Sequence, residues 1–269
     1  MEKRGSKNNI SWAQVLFDWA DMHDLPDLEW FNESDDESPG MGFYHGFPRN
    51  ELNLDWHDLT ELPEELGNLK QLTKLSFNKS PCGWQVRPKP KTSNILRCIP
   101  KWVYGLRDLK ELCFSGNSIA EISSDIAKLN KLEVLGLDEN SISTIPDTIS
   151  QCLNLEWLGL RSNQLRAIPE SLFECTKLES LLLESNEIEC IPKGLSKLES
   201  LSTLELARNN LTAYPEDISL LENLNYLTLL GNKFIDLPTG PLNLKNLEIF
   251  DMLNFEYTVA RRFGDPVLH

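Results

Sequence analysis

Six asparagines, Asn117, Asn140, Asn163, Asn186, Asn209 and Asn232, stand 23 residues apart without an exception, and no other feature of this chain constrains its fold as strongly. Around each of them the pattern LxxLxLxxNxL returns, as in LEWLGLRSNQLRAIPESLFECTK from Leu155 to Lys177. A fixed period of roughly 20 to 29 residues carrying this pattern specifies a solenoid in which every unit adds one short strand to a parallel sheet. In the example the strand is expected at Leu158 to Leu160, with leucines pointing inward and the residues between them outward. No unit buries its own apolar face. Stacked neighbours bury it for one another, so stability is close to a sum of repeats and their interfaces.

The asparagine has a structural job in such a stack. Where the strand turns away from the ladder, backbone N–H and C=O groups would be buried without partners. A side-chain amide donates and accepts at once, so a column of them can satisfy successive turns.

Repeats begin near Arg49, with Leu52 and Leu54 on the first strand and His57 where the asparagine would be. The second starts at Leu72 and is interrupted, because the next start, Leu109, lies 37 residues on rather than 23. Regular starts follow at Leu132, Leu155, Leu178, Leu201 and Leu224, and a degenerate one at Leu247, giving nine units. The second half of most units opens on an apolar residue and proline, as in Ile145-Pro146 and Ile168-Pro169, and proline fits the first turn of a short helix. Ile122-Ser123 departs from this rule.

The expected division is therefore an N-terminal helical cap with an acidic loop over 1–48, repeats over 49–246 with an insertion at about 79–92, and a last repeat and cap over 247–269. Ser11 and Gln14 form a capping-box pair, and Trp12, Val15, Leu16 and Trp19 recur at helical spacing, which predicts a helix from Trp12 to His23 that closes the open end of the core. The insertion gathers Lys79, Arg87, Lys89 and Lys91 among prolines and Trp84.

The net charge of −15 argues against nucleic acid and for a partner with a basic or neutral surface. No apolar run is long enough to enter a membrane as a spanning helix, and no secretory leader is recognisable at the start. Of six cysteines, Cys152 and Cys175 fall where other repeats have leucine, so they read as core residues and the set does not read as a disulfide framework. A reducing, cytoplasmic compartment follows, with delivery by a dedicated secretion machine left open. Phosphate loops, zinc-like spacings and nucleophile motifs are missing from the sequence, so no catalytic, cofactor or metal residue is assigned.

From Leu52 to Leu247 the chain resembles intracellular leucine-rich-repeat proteins of the LPxxI type, such as Ras-suppressor-like and scribble-like scaffolds and bacterial relatives. The resemblance implies an α/β solenoid: a curved horseshoe with a parallel β-sheet on its concave face and short helical or 3₁₀ turns on its convex face. It also implies a non-enzymatic protein-interaction module whose partner differs between members, including bacterial proteins acting on host factors. Some bacterial relatives carry a ubiquitin-ligase domain after the repeats, and that activity is not expected here.

Outward strand positions that break the polar rule locate the expected site. Counting from each repeat's first leucine, the third position reads Glu111, Val134, Trp157, Ser180, Thr203, Tyr226 and Ile249, the fifth includes Leu182, and the seventh includes Leu230. Trp157, Leu182 and Tyr226 are the expected anchors, beside Val134 and Leu230. Asp138, Arg161, Glu184, Glu205 and Arg208 supply a mixed-charge rim with the two arginines orienting the partner. Gly136 and Gly159, at the fifth position beside Trp157, leave either a notch for a partner side chain or room for the indole to lie flat. The rival expectation is a small-ligand receptor or enzyme whose site lies between the insertion and the concave face, with Trp84, Arg87, Lys89 and Lys91 as contacts.

Overall fold

The computed structural model describes residues 12–23, 50–55, 57, 59–78, 95–234 and 249–251. Its strands are β1 (Glu51–Asn53), β2 (Lys74–Ser76), β3 (Glu111–Cys113), β4 (Val134–Gly136), β5 (Trp157–Gly159), β6 (Ser180–Leu182), β7 (Thr203–Glu205), β8 (Tyr226–Thr228) and β9 (Ile249–Asp251). All are parallel neighbours in sequence order, in one open sheet. The register advances by one period at each step except between β2 and β3, where Lys74 pairs with Glu111, 37 residues on. Each strand starts one residue earlier than the pattern predicts: Trp157–Gly159, with only its middle residue, Leu158, pointing into the core. The insertion, the acidic loop and the C-terminal cap lie outside the described residues, apart from β9.

The inward leucines form one continuous core, and the cysteines at leucine positions belong to it: Cys152 and Cys175 are fully buried. Burial pushes their thiols up, to about 12 and about 11. On the convex side the predicted turns are 3₁₀ and short, as at Glu64–Asn68, Asp147–Gln151 and Glu170–Glu174, each capped by the preceding proline in an extended conformation. Ser123 replaces proline with a side-chain cap, its hydroxyl accepting from the Asp125 N–H at 3.2 Å. The helix α1 spans Trp12–Met22, and its Leu16, Trp19 and Ala20 join the core beside the first convex turn.

The asparagines close the turns in the way their chemistry requires. Asn163 donates to the carbonyls of Leu160 (3.2 Å) and, one repeat back, Leu137 (3.0 Å), and its Oδ1 accepts from the Ile142 N–H at 2.9 Å. Asn140, Asn186 and Asn209 repeat this arrangement in register. The residue before each asparagine is left-handed: Gly116, Glu139, Ser162, Ser185, Arg208 and Gly231 all have positive φ, between 52° and 75°. Four of these six are not glycine, so the sequence gives little sign of the strained turn. Its reward is a ladder of backbone bonds, such as Glu139 N–H to the Arg161 carbonyl at 2.8 Å.

Candidate protein-binding face

The outward residues of the strands line the concave face, and they change character along it. On β1 to β3 the third-position residues neutralise one another: the Lys74 ammonium lies 3.3 Å from the Glu51 carboxylate and 3.1 Å from that of Glu111. From β4 onward that ladder is replaced by Val134, Trp157, Ser180, Thr203 and Tyr226, all half-buried. With adjacent strands about 4.8 Å apart, Trp157 on β5 and Tyr226 on β8 are about 15 Å apart along the sheet.

Trp157 does not stand away from the sheet. A Cβ built on Gly159 would fall 2.7 Å from the indole Cζ3 and closer still to Cη2, so the ring lies across the glycine and fills the place a notch would have taken. Asp138 closes the other side, its Oδ1 lying 3.0 Å from the same point. The glycine at this strand position is therefore required by a close approach, and its partner is a side chain of the same strand.

The charged residues are more deeply set than a rim would be. Asp138 and Glu205 are buried, at 8% and 6% exposure. Arg161 grips Glu205 with two parallel bonds, Nε to Oε2 at 2.6 Å and Nη2 to Oε1 at 2.7 Å, reaching from β5 to β7. The guanidinium's own proton is held more tightly, first through the Glu205 bond. Asp138 accepts the Arg161 backbone N–H at 2.7 Å, with the Arg161 side chain 3.9 Å away. Burial is the largest influence on its carboxyl and raises it to about 6, against the opposing backbone bond and charge of Arg161.

Leu182 corrects the sequence expectation most clearly. It faces outward on β6, yet it is only 3% exposed, so it does not stand ready as an exposed anchor. Its register partners are Gly159, covered by the indole, and Glu205, held by Arg161, so the bridge from β5 to β7 crosses the strand that carries it. Arg161 is likewise engaged within the face. Glu184 and the more exposed Arg208 form a long pair at 3.8 Å, and Leu230 is half-buried at the edge. The structure thus brings Val134, Asp138, Trp157, Arg161, Leu182, Glu184 and Glu205 into one preassembled patch, with Tyr226, Arg208 and Leu230 at its C-terminal side. The side chain of Ile249, and Trp84, Arg87, Lys89 and Lys91, lie outside the described residues. Thr228, which sequence reasoning passed over, is buried beside Glu205 in register, and its hydroxyl has no hydrogen-bond partner among the described residues.

Among the described residues no cluster of three or more His, Cys, Asp or Glu is placed to hold a metal, and no helix is long and apolar enough to cross a membrane.

The repeats are leucine-rich repeats. The family model described as Leucine rich repeat matches residues 107–165, 130–188, 154–211 and 176–234. Among solved structures the chain is similar to a leucine-rich-repeat protein of Leptospira interrogans, at 29% identity over 75% of this chain and 59% of that one, with a TM-score of 0.53. It is similar to the plant peptide hormone receptor RGFR1 in complex with RGF2, at 32% identity over 74% of this chain and 30% of that one, with a TM-score of 0.62. An internalin from Listeria monocytogenes shares the fold, at 24% identity over 72% of this chain and 52% of that one, with a TM-score of 0.59. The chain spans less than two thirds of each of these proteins. No curated protein matches its sequence. The molecule is a leucine-rich-repeat protein, and the fold it carries is generally one of protein–protein interaction.

Proposed function

We propose that the concave face from β4 to β8 binds a protein partner without catalysing a reaction on it. The observation that carries this reading is the break in the outward column. Where β1 to β3 present charges that satisfy each other, β4, β5 and β8 present Val134, Trp157 and Tyr226 to the partner's side. Aromatic anchors surrounded by engaged polar groups are the usual anatomy of a binding hot spot. The carboxylates of Asp138 and Glu184 flank them, and of the two nearby cations Arg161 is already bound to Glu205. That balance favours a partner whose contacting surface is apolar with a basic residue beside it. Support from relatives is of the same kind: RGFR1 is a peptide hormone receptor seen in complex with RGF2.

Trp157→Ala is the direct test. It should weaken partner capture by about tenfold or more, equivalent to about 1.4 kcal/mol, while circular dichroism still reports a folded protein. Full retention of binding would remove Trp157 from the site.

A further inference from the structure

The first convex turns break their own repeat rule at one place. The turn Lys101–Gly105 opens on Lys101 and Trp102, whereas the other five-residue turns open on Glu64-Glu65, Ser124-Asp125, Asp147-Thr148, Glu170-Ser171 and Glu216-Asp217. Acidic or neutral residues suit the start of a helical turn, so a lysine there runs against the local preference. This turn, its predecessor Glu64–Asn68 and its successor Ser124–Lys128 enclose an open cleft of about 400 Å³, to which Lys70, Lys101, Arg107 and Lys128 contribute four cations and Glu64 one carboxylate. In a chain of net charge −15 this is a local reversal of sign.

Lys128 is paired with Asp125 at 2.9 Å. Lys70, Lys101 and Arg107 have no ion-pair partner among the described residues. All three line the same cleft, with the Lys70 ammonium beside Gly105, 3.5 Å from where a Cβ would be, and Gly67 lets the Trp102 side chain pack on its backbone, where a Cβ would meet the Trp102 Cβ at 2.9 Å. The Trp102 indole N–H is buried and has no acceptor among the described residues. Buried indoles normally find one, so turning the ring toward an oxygen in the cleft gains a hydrogen bond.

We propose that this convex cleft binds a compact polyanion bearing two or more phosphate groups. Three cations on or just after two successive turns, without ion-pair partners among the described residues, exceed what a single monoanion neutralises. The volume is at the small end for ligand sites, roughly 300 to 1,000 Å³. Such phosphates are carried by soluble polyphosphorylated molecules and by lipid headgroups. This site is separate from the concave face, since none of its lining residues belongs to a strand.

Titration calorimetry of the full chain in about 0.15 M salt, with inositol hexakisphosphate and inorganic pyrophosphate as probes, tests the site, and sedimentation with phosphoinositide-containing or pure phosphatidylcholine vesicles tests the lipid source. Saturable one-to-one binding is expected. Lys101→Glu with Arg107→Glu should weaken it by about tenfold or more, Trp102→Phe by about threefold, and Trp157→Ala not at all. Lys101→Gln with Arg107→Gln gives the same reading if charge reversal lowers the melting temperature. Binding to soluble probes alone assigns a free ligand, and added binding to phosphoinositide vesicles assigns a headgroup. Binding unchanged in the double variants, or no saturable binding to either probe or vesicle, overturns the proposal.

Discussion

The two halves of the concave face share one backbone and one period, and they differ in what their outward residues do with their charge. On β1 to β3, Glu51, Lys74 and Glu111 form a closed ladder, and Ser76 donates to Asp55 at 2.6 Å while Asn53 accepts from the Asp55 N–H at 2.9 Å. Those groups are satisfied by their neighbours. From β4 to β8 the same positions hold an indole laid across glycine, a buried leucine, a bidentate bridge over two strands and a phenol. A repeat scaffold can thus hold two segments of different surface chemistry in one uninterrupted sheet, because the leucines and asparagines that hold the fold are separate from the residues that face out.

Breaking that separation should have the largest effect. Asn163→Ala removes the acceptor of the buried Ile142 N–H, while the Leu160 and Leu137 carbonyls keep bonds from Asn186 and Asn140. The orphaned N–H costs about 1 to 3 kcal/mol, read as a shift of the denaturation midpoint. A variant that melts like the parent would show that the asparagine column is not structural.

Arg161→Ala comes next and touches only the β4 to β8 segment. It leaves the Glu205 carboxylate buried without its partner, at a cost of about 2 kcal/mol after allowance for the partial exposure of Arg161. Adding Glu205→Gln should recover part of the loss. No recovery in the double variant would mean that the bridge is not what holds this patch.

Asp138→Asn should act in the opposite direction. The Asp138 carboxyl is raised from 3.8 to about 6, so the folded chain keeps a proton that the unfolded chain releases between those values. Its contribution is full below about pH 4 and lost as pH rises through about 6. At pH 7.5 the asparagine variant, which still accepts the Arg161 N–H, should therefore be about 1 to 2 kcal/mol more stable, and the gain should vanish near pH 4. Equal stability at both pH values would contradict a strained carboxylate held in the face for binding.

The fold was legible because period, inward leucines, prolines and asparagines all encode backbone needs that do not depend on distant neighbours. The burial of Leu182 was not legible for the converse reason. Its place on an outward position is a matter of parity, whereas its register partners are Gly159, under the indole, and Glu205, held by Arg161 from 44 residues away. Four of the six left-handed turn residues left no mark, because a glutamate, two serines and an arginine occupy them. The alternative reading of Gly159, room for the indole, needed the ring's rotamer to decide it.

The central claim is that β4 to β8 carry the binding surface while β1 to β3 do not. The most direct measurement is capture of partners by the full chain, compared quantitatively between Trp157→Ala with Tyr226→Ala and the ladder variant Lys74→Ala, each checked for folding. Lys74 makes only exposed ion pairs, so its loss should cost at most about 1 kcal/mol of stability and leave capture intact. The account predicts that the aromatic double variant loses the partners that the Lys74 variant keeps, and retention of every partner by the double variant would contradict it.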